Sequence, residues 1–343
     1  MANILAWSKS DLEAWFVGQG EKRFRVSQVW QWLWGKGAKD FGQMTNLSLG
    51  LRENLKKHFY IYWPKIERVY QSKDGTYKFL ILLEDGQVIE TVLIPEKDHY
   101  TLCVSSQVGC SLACTFCHTG QMGFVRNLRA YEIVSQVILA KKFIAEQKLS
   151  FALRNIVYMG MGEPLLNWSE VKKSLGILLD ENTLNYSKRR ITVSSVGIPK
   201  VLEEFARSGL AMVAISLHAP SQTLRKKLMP KAARYELSEL IQVLQNYPLK
   251  PRERITIEYV LLKDVNDTPA HALELVKLLK KVRCKINLIR YNPWPGSPYQ
   301  APEPERILSF EKILWDNNFT AILRKSKGDD ILAACGQLRA TEN

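Results

Sequence analysis

Four of the chain's six cysteines, Cys103, Cys110, Cys114 and Cys117, lie within fifteen positions, and the last three have the spacing C-x3-C-x2-C. Three thiolates in one short loop can each bind one iron of a cubic iron-sulfur cluster, which leaves the fourth iron without a protein ligand and open to a small molecule. Other metal chemistries compete for these residues. With His118 they could form a Cys3His zinc site, but no second Cys or His pair follows at finger-like spacing. Cys114 to His118 also matches C-x-x-C-H, the attachment motif of c-type haem. That chemistry needs export, and the N-terminus MANILAWSKSDLEAW has neither a basic n-region nor a long apolar h-region. Structural disulfides are disfavoured as well, because a chain of 343 residues has ample core and, lacking an export signal, is expected in a reducing, cytoplasmic compartment.

Further candidates are scattered. Gly160-Met161-Gly162-Glu163-Pro164 combines glycines that let backbone approach a ligand with a carboxylate that can meet an ammonium group. A lone G-x-G is weak, and Glu163-Pro164 argues against a dinucleotide fingerprint. Ser194 and Ser216-Leu217-His218 offer polar groups, although His218 alone reads more readily as a hydrogen-bonded core histidine. Asn292, in YNPWPG, can be a ligand contact or a turn former. Glu90 can be an exposed strand glutamate, Cys335 a buried spare thiol packing as a small apolar residue, and Cys284 a structural one.

Elements that could position these groups follow from hydrophobic period. Residues 1 to about 60 read as helical, with Ser8 or Ser10 capping a first helix and further helices over Val26–Trp34 and Leu47–Phe59. Trp30, Trp32 and Trp34 are expected in the core of this unit, while Lys22, Arg23 and Arg25 are better candidates for contact with a nucleic acid. Lys65 to Ile94 alternates as a small antiparallel meander with turns at Lys73-Asp74-Gly75 and Glu84-Asp85-Gly86. Strands are then expected at Tyr100–Ser105, Asn155–Met159, Arg190–Ser194, Met212–Leu217, Ile255–Leu261 and Ile286–Tyr291. Helices are expected at Tyr131–Glu146, Ser169–Leu179, Pro199–Ser208, Leu237–Asn246, Pro269–Lys281 and Pro304–Asn317. Six β-α units imply a curved parallel sheet with helices outside, whose ligands bind at the C-terminal ends of the strands. The candidate motifs fall at those ends.

Composition bounds the partners. Lys plus Arg total 48 against 34 acidic residues, a formal charge of +14, which suits a polyanion. Runs at Ser187-Lys188-Arg189-Arg190, Arg225-Lys226-Lys227 and Arg324-Lys325-Ser326-Lys327 read as phosphate contacts. No apolar run approaches the length of a membrane span.

C-x3-C-x2-C resembles the signature of the radical S-adenosylmethionine (SAM) enzymes. TLCVSSQVGC, MGMGEPLLN, SLHAP, NLIRYNPWPGSPY and GDDILAACGQL, in that order, resemble the RlmN/Cfr family of RNA adenine methyltransferases, from about residue 20 to almost the last residue. The resemblance implies an α/β fold, a partial (β/α)6 radical SAM barrel over residues 98–326, preceded by a helical accessory domain (1–62) that grips RNA and a β-meander linker (63–97), and followed by a terminal loop (327–343). It implies one 4Fe-4S cluster held by Cys110, Cys114 and Cys117, and SAM held by Gly162, Glu163, Ser194, Ser216, Leu217, His218 and Asn292. Cys335 would accept a methyl group from one SAM; a radical from a second SAM would activate it for addition to adenine. Cys103 would act as base and release the product through a transient disulfide with Cys335, with Glu90 a further proton acceptor. The implied substrates are 23S rRNA and tRNA, the implied reductant flavodoxin or ferredoxin, and the expected state a cytoplasmic monomer without a membrane partner. Pro164 and the NPWPGSPY run look nearer the carbon-2 members of the family than the carbon-8, antibiotic-resistance members. On the cysteines alone a zinc-dependent RNA-binding module stays open.

Overall fold

The computed structural model describes residues 1–340. Its N-terminal unit packs helices α1 (Lys9–Gly18), α2 (Phe24–Trp30) and α3 (Leu49–His58), and strand β1 (Ala2–Asn3) closes it against β2 (Phe59–Tyr60). Ser8 starts α1 through a capping box: its hydroxyl accepts from the Asp11 amide while the Asp11 carboxylate accepts from the Ser8 amide. Helix α2 continues into a π-turn over Gln31–Gly35, and the wider turn buries both Trp30 and Trp34. Trp32 stays half-exposed, with its indole N–H on Asn46 and Lys36 over its ring.

Strands β3 (Lys65–Gln71), β4 (Tyr77–Leu82) and β5 (Val88–Pro95) form the expected meander, but it is not a separate layer. β5 pairs antiparallel with β6 (Tyr100–Cys103), so the meander extends the barrel sheet. Beyond β6, the hairpin of β7 (Gln107–Gly109) and β8 (Phe124–Asn127) brackets the cysteine loop and the one-turn helix α4 (His118–Gln121). Next come α5 (Ala130–Glu146), β9 (Leu153–Tyr158), α6 (Trp168–Leu179), β10 (Ile191–Ser195), α7 (Pro199–Ser208) and β11 (Met212–Ser216). The chain continues through α8 (Gln222–Leu228), α9 (Leu237–Gln245), β12 (Ile255–Leu261), α10 (Pro269–Leu279), β13 (Cys284–Arg290), α11 (Pro304–Asp316) and β14 (Ala321–Arg324).

One sheet carries ten strands in the order β14-β13-β12-β11-β10-β9-β6-β5-β4-β3, and every pair from β6 to β14 is parallel. β6 and β14 do not pair, so the barrel is partial. The six expected parallel strands are present within a few residues of their expected ends; β14 adds a seventh, and α8 is a further helix that the hydrophobic period did not show. On β12 and β13 every second residue packs into the core, with Ile255, Ile257, Tyr259, Leu261, Ile286 and Leu288 fully buried, and the alternate positions include the polar Glu258 and Asn287. No helix among the described residues is long and apolar enough to cross a membrane.

Candidate active site

The cysteine loop is held open by its backbone. Gly109 has φ +71°, and a Cβ there would lie 2.1 Å from the Gly123 carbonyl oxygen, which itself accepts from the Cys110 amide at 2.7 Å. Only glycine permits this close crossing of β7 and β8. Thr115 N–H bonds the Leu228 carbonyl at 2.9 Å, anchoring the middle of the loop to the end of α8. Cys110, Cys114 and Cys117 are each half-buried and line one wall of a cavity at the C-terminal ends of β9, β10, β11 and β12. Burial pushes the Cys110 thiol up to about 12, and burial raises Cys114 and Cys117 in the same direction, with the neighbouring thiols adding to the shift at Cys110 and Cys114. Thiols so disposed become stable thiolates once a metal supplies positive charge.

Most of the other expected contacts line the same cavity. Gly162, Glu163, Ser194, Ser216 and His218 line the cavity. Gly162 has φ +95°, and a Cβ there would overlap Gln107 Cβ at 2.4 Å, so this glycine brings the β9 loop against β7 rather than clearing room for a ligand alone. Glu163 Oε1 accepts from the Leu165 amide at 2.9 Å and Oε2 from the Val196 amide at 3.0 Å. Ser194 and Ser216 hydroxyls are 3.2 Å apart. His218 sits at φ +57°, and its Nδ1 accepts from the Val260 amide at 3.1 Å. Burial lowers its pKa to about 3, so the ring is neutral and carries its proton on Nε2 as a donor. Leu217 does not line the cavity; it is fully buried and its amide bonds the Glu258 carbonyl. Asn292 is buried too, accepting from Ser326 at 2.6 Å and donating to the Cys335 carbonyl at 3.4 Å.

Cys335, from the C-terminal segment, reaches the same cavity. Although accessible from the cavity, its thiol is ringed by protein, and burial holds it up at about 11, with Glu258 adding to the effect. The segment is pinned at several points. His118 N–H bonds the Gly336 carbonyl at 2.7 Å, Thr119 the Leu338 carbonyl at 2.6 Å, and the Asp330 carboxylate accepts from Ser72 at 2.5 Å. Cys103 ends β6 fully inside the protein; burial raises its pKa strongly, and the nearby Cys335 adds to this. Glu90 stands on β5 away from the cavity lining, with Oε1 3.0 Å from Lys78 Nζ and Oε2 accepting from the Arg339 amide at 2.8 Å. Burial raises the Glu90 pKa, and Lys78 opposes the shift.

Several features of the site lay outside the sequence reading. Arg225, counted there with a surface basic run, is fully buried and donates to the Val196 carbonyl at 2.6 Å and the Leu217 carbonyl at 3.2 Å. Its aliphatic neighbours Leu224 and Leu228 give α8 an inner face, and the two exposed lysines beside it disguise the arginine in the sequence. Glu258, which lines the cavity from β12, was also missed; its signal is a lone carboxylate in the otherwise apolar ITIEYVL. Lys78 carries a comparable signal inside β4.

A zinc site fits this geometry poorly. His118 bonds the Gln337 carbonyl through Nδ1 at 3.2 Å and meets Arg339 through Nε2 at 3.1 Å, and its ring stacks on Trp294. Among the described residues no group of three or more His, Cys, Asp or Glu side chains is placed to hold a single metal ion.

Comparison with known proteins agrees. Residues 2–61 match the ribosomal RNA large subunit methyltransferase N-terminal domain, and residues 104–285 match the radical SAM superfamily. The dual-specificity RNA methyltransferase RlmN of Nitratidesulfovibrio vulgaris is 54% identical over 100% of this chain and 96% of its own length. The chain belongs to the RlmN family. The RlmN of Marinobacter nauticus is 44% identical over 98% of this chain and 92% of its own. The crystal structure of a radical SAM methyltransferase from Sphaerobacter thermophilus superposes with a TM-score of 0.91 at 41% identity, covering 99% of both chains. The cofactors of RlmN enzymes are a 4Fe-4S cluster and SAM, and a cavity lined by three thiols together with buried polar groups fits both.

Proposed function

We propose that this protein methylates carbon 2 of adenine in 23S rRNA and in tRNA, with Cys335 as the methyl carrier. The observation that carries the reading is the single cavity onto which Cys110, Cys114, Cys117 and Cys335 all open, with Cys103 close behind. Its relatives' description as dual-specificity RNA methyltransferases supports two RNA substrates. Carbon 2 of adenine is electrophilic, so a methyl sulfonium cannot simply donate to it, and a methyl held on protein sulfur must be activated first. When bound, the cluster and SAM supply the methyl group that Cys335 receives and the radical chemistry that activates it.

In this reading Cys110, Cys114 and Cys117 hold three irons. Gly162 and Glu163 receive the methionine amino end of SAM, while Ser194, Ser216, the Leu217 backbone, the His218 Nε2 donor and Asn292 orient the remainder. Cys335 carries the one-carbon unit into a bond with carbon 2. Two groups can accept the proton that leaves carbon 2: Cys103, once its own thiol proton has been drawn off, and the Glu90 carboxylate. Cys103 sulfur then attacks Cys335 sulfur; a sulfur-sulfur bond forms, the Cys335 sulfur-carbon bond breaks, and its electron pair stays on the methylene carbon, which takes up a proton equivalent to the one lost from carbon 2 and leaves as the methyl of the product. The resulting disulfide takes up two electrons from an external reductant before the next turnover.

The accessory domain and its exposed Lys22 and Arg23 grip RNA. The protein is a cytoplasmic monomer, and flavodoxin or ferredoxin supplies electrons. Anaerobic reconstitution followed by mass spectrometry of nucleosides from treated 23S rRNA and tRNA tests the whole reading. It predicts 2-methyladenosine from both RNAs; 8-methyladenosine, or no methylated adenosine, would overturn it.

A further inference from the structure

The chemistry proposed above leaves one fully buried cation without a task. Arg225 does not itself line the cavity, but two residues bonded to it do. Its Nη2 donates to the Val196 carbonyl at 2.6 Å, and its own carbonyl accepts from the Met229 amide at 2.8 Å. Nη1 donates to the Leu217 carbonyl at 3.2 Å, and Nε has no partner among the described residues. Both side-chain bonds therefore end on neutral carbonyls and none on a carboxylate. A guanidinium taken out of water without a counter-charge is costly. Burial lowers its pKa to about 10, which still leaves it charged at neutral pH.

Two groups of opposite charge reach it, Cys114 and Glu163. Glu163 is already engaged, with both oxygens on backbone amides, and burial favours its neutral form. Cys114 is negative only as a thiolate, and burial keeps the free thiol protonated; a metal reverses that. Arg225 thus gains a full counter-charge when the cysteine loop is loaded. Three thiolates around a cubic cluster leave the assembly anionic, and one-electron reduction adds a further negative charge. Lys231, whose charge reaches Cys110, is exposed and screened by solvent.

Backbone contacts fix the distance between this cation and the loop. Thr115, next to Cys114, donates to the Leu228 carbonyl through its amide at 2.9 Å and its hydroxyl at 3.3 Å, so the loop hangs from the end of α8. Arg225 fastens the same helix to Val196 and Leu217, just past β10 and β11, and the Val196 amide in turn holds Glu163. We propose that Arg225 is the buried counter-cation of the iron-sulfur cluster, a positioning residue that raises the cluster's reduction potential from outside the cavity. The assignment rests on the reading that Cys110, Cys114 and Cys117 hold the cluster.

Wild type, Arg225→Lys and Arg225→Gln are compared after anaerobic reconstitution, by iron and labile sulfide content and by a redox titration followed by electron paramagnetic resonance, without SAM or RNA. At an effective dielectric of about 20, a unit charge within about 10 Å changes a one-electron equilibrium by about tenfold or more. Arg225→Gln is therefore expected to be about tenfold harder to reduce, a midpoint lower by about 59 mV. Arg225→Lys keeps the charge while losing the forked pair of carbonyl bonds, and is expected to titrate within about twofold of wild type. A Gln variant that titrates with wild type would overturn the proposal, as would a Lys variant shifted as far as the Gln one, since the residue would then be only a brace. Should the Gln variant hold no cluster, the Lys variant decides: a wild-type iron content and midpoint support the counter-cation, and loss of the cluster there too overturns it. Wild type that took up no cluster would remove the ligand reading of the three cysteines together with this one, whereas a loaded wild type with an unshifted Gln variant removes this one alone.

Discussion

Cys103 and Cys335 sit on different elements, one at the end of β6 and the other on the terminal segment, yet each is close enough for Cys335 to raise the Cys103 pKa. The two remain unbonded thiols here. High thiol pKa values keep both sulfurs protonated and slow to exchange, so reaction awaits a partner that draws off the proton. With Cys103 replaced by Ala, the proposed chemistry stops at the covalent stage. Cys103→Ala is expected to accumulate a protein-RNA adduct through Cys335, seen as a slow band on a denaturing gel that ribonuclease collapses. A Cys103→Ala protein that turns over freely would remove the resolving role. His218 makes a prediction of a different kind. Its folded pKa, about 3, lies below the ordinary histidine value of 6.5, so the unfolded chain takes up the proton first as pH falls. The associated stability is complete above about pH 6.5 and is lost on acidification. Each pH unit in the window between the two pKa values corresponds to about 1.4 kcal/mol. The stability advantage of wild type over His218→Gln is expected to shrink by about 2 kcal/mol between about pH 7.5 and about pH 5, read from urea unfolding at each pH.

The terminal segment owes its position to the meander as much as to the barrel. Lys78 on β4 donates to the Leu332 carbonyl at 3.3 Å and pairs with Glu90 on β5, whose second oxygen holds the Arg339 amide. Asp74, in the turn between β3 and β4, accepts from the Gly328 amide at 3.0 Å. Replacing Lys78 with Met leaves a buried carboxylate without its cation. Lys78→Met is expected to cost about 3 kcal/mol of stability and to raise the Glu90 pKa further; adding Glu90→Leu should recover part of the loss. Full additivity of the two substitutions in chemical denaturation would deny the coupling. This docking explains what the sequence could and could not show. The long helices and central strands were legible because each carries its period over many residues and buries one face or both. Helix α4 has a single turn and β14 four residues, too short for any period, and both are fixed by tertiary contacts: α4 by the carbonyls of Gly336 and Leu338, β14 by pairing with β13. The three cysteines proposed to hold the cluster were legible as a group because their spacing is local, and they do line one cavity. Glu258 and Arg225 were not, because their significance depends on which side of a strand or helix meets the cavity.

Charge acts on the molecule as a whole. Much of the excess of 48 basic over 34 acidic residues lies outside the ion pairs that offset it: Lys22 and Arg23 at the head of α2, Arg189 and Arg190 before β10, and Lys226 and Lys227 on α8 are all exposed. Exposed ion pairs contribute little to folding, so these residues are available to a polyanion without loss of the fold. RNA binding that neutralises phosphates releases counterions, and log affinity then falls linearly with log salt, with a slope near 0.7 to 0.9 for each phosphate neutralised. SAM bound in the cavity proposed for it should follow salt weakly. Lys22→Ala/Arg23→Ala is therefore expected to weaken binding of 23S rRNA fragments and tRNA alike and to reduce the salt slope by about 1 to 2, while leaving SAM affinity and iron content unchanged. Fluorescence anisotropy across a salt series measures this directly, and an unchanged slope would move the RNA-gripping surface away from the accessory domain.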